Sequence, residues 1–120
     1  MTKVVANPQR NELVIKFEKE YLARASFSFI AKTESHFDCS IAYLYERITQ
    51  GKLKATDALI IIKLGIEAAG STITEEELEQ AVEQFGSMGV LMRAMGLLQI
   101  SFAGPKTNTS KDEKKVETKT

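Results

Sequence analysis

A chain of 120 residues has room for one domain, and its 43% apolar content supplies a single packed core. Sixteen basic residues cancel sixteen acidic ones, which removes the long-range positive field of a general nucleic-acid or anionic-membrane binder. Cys39 is the one cysteine, so no intrachain disulfide forms, and the opening MTKVVANPQRNE carries no apolar run of signal-peptide length; a cytoplasmic location is expected.

Residues 1–10 are read as a flexible N-terminus, 11–103 as one globular domain and 104–120 as a disordered polar tail. The tail, GPKTNTSKDEKKVETKT, holds five lysines against three acids and only Val116 as a sizeable apolar residue, too little to offset the entropy of ordering. In ELVIKF, Leu13, Ile15 and Phe17 alternate against Glu12, Val14 and Lys16, the pattern of a half-buried strand. YLARAS then sets Tyr21, Ala23 and Ala25 against Leu22, Arg24 and Ser26. A hairpin over about 12–26 follows, with a turn that has no Gly or Asn to favour positive φ.

Five helical segments come next. The first, 27–37, starts after Ser26 as N-cap and turns Ile30, Phe37 and one of Phe27 or Phe29 to the core. The second, 40–50, has Ile41, Leu44, Tyr45 and Ile48 on one face and Gly51 at its end. The third, 56–69, opens at Thr56 or Ala55, closes at Gly70 and is apolar nearly all round. Its charges Lys63 and Glu67 mark a solvent stripe, while Leu59, Ile61, Ile62, Leu64, Ile66 and Ala69 cover the other sides. The run is shorter than the roughly 20 apolar residues of a membrane span, so the expectation is a central core helix with neighbours on several sides.

The fourth helix, 75–85, begins with a capping box, Thr74 and Glu77, and buries Leu78, Ala81, Val82 and Phe85. Gly86 and Ser87 interrupt it, and 87–102 is a last apolar helix with Arg93 and Gln99 as its main polar points. A domain of this size rarely buries two all-round apolar helices. Met88, Met92 and Met95 at i, i+4, i+7, with Phe102, are therefore the candidate partner-binding residues, methionine being the side chain that re-packs against varied apolar partners. Plain core packing is the competing reading of the same stripe.

No motif for chemistry emerges. His36 and Cys39 have metal-ligand spacing but no further His or Cys completes an N/S set, and no orienting group makes them a nucleophile and base. KLGIEAAGS lacks the alternating Asp and Asn of a calcium loop, and GPKTNTSK lacks the phosphate-loop spacing. A helix-turn-helix reader of DNA would place Glu75, Glu76, Glu77, Glu79 and Glu83 in the groove with no Lys or Arg, where phosphates repel them. No enzyme, metal, cofactor, nucleic acid or membrane is expected; a small DNA-binding regulator is the alternative of another class.

The order of parts is informative: SFSFIAKTE, then LYERITQGKLKATDALIIIKLGIEAAG, then STITEEELEQAVEQFG and a final apolar helix. With Gly65, Ala68, Ala69, Gly70, Thr74, Glu75 and Glu76 as they stand, the stretch from Asn11 to Phe102 resembles the gene transfer agent tail protein family, grouped with phage tail assembly chaperones. No glycine lies between the first two helices in ESHFDCS, a departure at that junction. The resemblance implies a mainly α fold, a small bundle of four to five helices with an N-terminal β-hairpin. It implies a non-enzymatic tail assembly chaperone that binds the tape measure protein and keeps it soluble in the host cytoplasm. A structural tail (tube) component, or a homo-oligomer using the same apolar surface, is the alternative.

Overall fold

The computed structural model describes residues 4–104; the polar tail expected beyond them lies outside the described residues. Strands β1 (Glu12–Lys16) and β2 (Glu20–Arg24) form an antiparallel hairpin, followed by α1 (Phe27–Phe37), α2 (Ile41–Thr49), α3 (Ala55–Ala68) and α4 (Glu75–Ala103). This is the mainly α bundle with an N-terminal hairpin that the sequence led us to expect. Ahead of it, Pro8–Arg10 makes one 3-10 turn, with Asn7 accepting from the Gln9 N–H.

The hairpin register pairs Leu13 with Ala23 and Ile15 with Tyr21, which puts the apolar positions of both strands on one face. Ile15, Phe17, Tyr21, Ala23 and Ala25 are all buried there. The three-residue connection is closed by the Phe17 N–H donating to the Lys19 carbonyl at 2.9 Å, and none of its residues adopts positive φ.

Local capping sets the helix starts. Ser26 accepts from the Phe29 N–H and Ser40 from the Tyr43 N–H, each satisfying one orphan donor of a first turn. Of the two candidate phenylalanines in α1, Phe29 is fully buried and Phe27 is 84% exposed. At the α1–α2 junction, where no glycine is present, Asp38 takes the left-handed conformation (φ 55°, ψ 42°) and donates its N–H to the Glu34 carbonyl. Asp and Asn tolerate this region better than most residues, so the helix ends without a glycine. Helix α3 starts at Ala55 with Lys54 before it and no side-chain cap, so its stability comes from packing rather than from its end.

Helix α3 packs against β2, α1 and α4, and α4 also receives α2 and β1. Ala58, Ile61, Ile62 and Ile66 of α3 and Val90, Ala94, Leu97 and Leu98 of α4 are completely enclosed. The two helices meet at Gly65, where an added Cβ would lie 2.5 Å from Leu97 Cδ1 and 3.3 Å from its Cγ. Helix α4 is broken at Gly86 (φ 77°, ψ 170°), giving a first arm, 75–85, and a second arm, 87–103. The break lies where the sequence signals an interruption. The second arm has one face sealed against α3, and at 17 residues it is shorter than the roughly 20 needed to span a bilayer. Core packing accounts for its α3-facing side, Val90, Ala94, Leu97 and Leu98, while Met88, Met92 and Phe102 of the same arm stay exposed.

Two stability measurements test this packing. Gly65→Val forces Leu97 into enclosed neighbours and is expected to lower stability by about 1–3 kcal/mol in thermal or urea unfolding. Thr33 is fully buried with its hydroxyl unpartnered, so Thr33→Val is expected to raise stability by about 1 kcal/mol, because a desolvated oxygen is exchanged for a methyl of similar shape.

Candidate docking surface

Among the described residues, no three His, Cys, Asp or Glu side chains converge to hold a metal ion. The His36–Cys39 pair has no activated thiol: burial, with Asp38 and Glu34 nearby, pushes the Cys39 thiol above its ordinary value, the opposite of what a nucleophilic cysteine requires. His36 is exposed, its ring edge-on to Phe37 at 4.8 Å.

The hairpin tip is clamped to α4 from both sides of the Gly86 break. Arg93 lies over the rings of Phe17 (5.1 Å) and Phe85 (4.5 Å). Its Nε donates to the Lys16 carbonyl at 2.7 Å and its Nη1 to the Gly89 carbonyl at 2.8 Å. On the other side, Lys19 Nζ lies 2.7 Å from Glu77 Oε2. Glu77 also completes the capping box: its Oε1 accepts from the Thr74 N–H, and its own N–H donates to Thr74 Oγ1. Lys19 and then the Thr74 N–H hold the Glu77 carboxyl down at about 2.

The predicted contact residues are distributed unevenly. Met88 is 70% and Met92 64% exposed, one turn apart on the second arm of α4. Phe102 is 56% exposed, and its ring lies flat on Tyr45 of α2 at 5.0 Å and 11°. Met95 is half-buried and packs against the core, so the stripe is open at its ends and covered at Met95.

A second apolar surface was missed at the sequence level. Leu59, Ile60 and Leu64 of α3, with Leu78 of the first arm, line an open groove of about 340 Å³ whose lining also includes His36 of α1. Leu59 and Leu64 were expected to be covered by neighbours; instead they are half-buried beside Lys63 and Glu67. The available signal was the surplus of apolar positions on α3 itself. The size argument applied to the last helix holds equally for this one.

A family model described as phage tail tube protein, GTA-gp10, matches residues 11–104. The chain belongs to that family. It is a gene transfer agent or phage tail protein, as its order of parts suggested. The sequence reading set a tail assembly chaperone ahead of a structural tube component; the family description favours the tube component. No curated protein and no solved structure matches the chain.

The depressed Glu77 carboxyl gives a pH dependence with a definite sign. Its contribution to stability is complete above the ordinary carboxylate value of 4.5 and is lost as pH falls toward about 2. Glu77→Gln keeps the reciprocal cap but removes the charge. The Tm gap between wild type and variant is expected to narrow steadily across that acid window in calorimetric melts.

Proposed function

We propose that this chain is a non-enzymatic structural component of the tail, associated with the tail tube, which assembles in the host cytoplasm through contacts with other tail proteins and with its own copies. The family match over residues 11–104 carries this reading. Exposed Met88, Met92 and Phe102, with Met95 at their margin, are its contact residues. Two methionines one helical turn apart form a flexible apolar ridge, and desolvating such a ridge is what drives protein association.

A second reading has one observation in its favour. Methionine is the side chain of surfaces that accept varied helical partners, and this suits a chaperone that shields the tape measure protein before the tube closes round it. The two readings differ in whether the protein stays in the finished particle.

Mass spectrometry of purified particles separates them. A structural component is expected in fixed proportion to the other tail proteins, and the purified chain forms rings or tubes by electron microscopy and light scattering. The double variant Met88→Asp, Met92→Asp is expected to abolish that assembly while changing stability by no more than about 0.5 kcal/mol, as at other open surface sites. Absence from particles, with tails failing to form when the chain is deleted, overturns the structural reading in favour of the chaperone.

A further inference from the structure

The groove between α1, α3 and the first arm of α4 combines an apolar floor with a charged rim of one dominant sign. Leu59, Ile60, Leu64 and Leu78 make the floor. Glu67, Glu75 and Glu79 stand exposed on the rim, and Lys63 is the one Lys or Arg among the lining residues. Among the described residues the one ion pair is Lys19–Glu77, so within them none of these three carboxylates is held in a close ion pair, and three acids outnumber the single Lys63 in the lining.

We infer that this groove is a docking site for an amphipathic helix of a partner tail protein, with its apolar face flanked by lysine or arginine. This rests on the reading that the chain works by contact with other tail proteins. The dimensions favour a helix. The lining of α3 runs from Thr56 to Glu67, about 16 Å along its axis, which matches three turns of a partner presenting apolar anchors at i, i+3, i+4 and i+7. The charge favours a basic one, because a partner with acidic flanks would meet three exposed carboxylates against a single lysine of the lining. A second copy of this chain fits poorly. Its open ridge, Met88 and Met92, has Arg93 as its nearest cation in sequence, and that guanidinium is already engaged by Phe17, Phe85 and the Lys16 carbonyl.

The test uses the full chain and two fluorescent peptides of about 18 residues, both with leucine at that helical spacing. One has lysine flanks and the other glutamate. Anisotropy titration is expected to show the lysine peptide binding at least about tenfold more tightly than the glutamate peptide, with binding weakened by salt. Glu67→Lys with Glu79→Lys, both at exposed positions, is expected to cost the lysine peptide about tenfold and to improve the glutamate peptide, with an unchanged circular dichroism melt. Met88→Asp with Met92→Asp leaves the peptide affinity unchanged. Equal binding of the two peptides, indifference to the charge reversal, or loss on changing the methionines overturns the proposal. So does self-association abolished by the charge reversal, which assigns the groove to a second copy. Particle incorporation reads the tail function separately: a chain present in particles that ignores the lysine peptide refutes the groove and leaves the function standing.

Discussion

Leu97 of α4 rests on the bare backbone of Gly65 in α3, with no room between them for a single methyl group. Because glycine lets the helices approach this closely, Ile61, Ile62 and Ile66 on one side and Val90, Ala94 and Leu98 on the other are sealed from water. The hairpin, α1 and α2 then pack on the outside of that pair. A glycine inside a helix costs about 1 kcal/mol relative to alanine, and here the cost is offset by burying branched side chains worth about 1.5–3 kcal/mol each.

Building a core on two strongly apolar helices leaves a surplus. Each has more apolar circumference than its neighbours can cover in a domain of this size, and the uncovered remainder appears in two chemically different places. On the second arm of α4 it is the unbranched, adaptable pair Met88 and Met92. On α3 it is a branched floor, Leu59, Ile60 and Leu64, set among carboxylates. Two surfaces of unlike chemistry differ in the partners they would favour, since specificity is a difference of affinities.

What could be read from the sequence was local. The alternation of Leu13, Ile15 and Phe17 gave the inward face of the hairpin, and Ser26, Ser40 and the Thr74–Glu77 box gave helix starts, because each depends on residues within one turn or one strand pair. Helical spacing, together with a limit on what a small domain can cover, singled out Met88, Met92 and Met95, of which the first two are exposed and Met95 is half-buried. The rest depended on distant partners. Phe27 and Phe29 are two residues apart, and only the placement of α1 on α3 decides which is buried. Arg93 was visible as a polar point, but its acceptor, the Lys16 carbonyl, is 77 residues away. Leu59 and Leu64 were misplaced for the same reason: the open side of α3 depends on the direction of the first arm of α4.

That direction is fixed at Gly86. Leu64 shares a groove with Leu78, while its neighbour Gly65 touches Leu97. On one straight helix Leu78 and Leu97 would be about 28 Å apart along the axis, so adjacent residues of α3 could not reach both. The chain resolves this by leaving helical geometry for a single residue, in a region of φ and ψ that essentially only glycine enters (φ 77°, ψ 170°). Nothing lies within 4 Å of where a Gly86 Cβ would be, so the demand for glycine there comes from backbone conformation alone. At Gly65 it comes from space alone. One glycine brings the two apolar helices together, the other breaks the second of them so that residues of both its arms reach α3, and the groove depends on both.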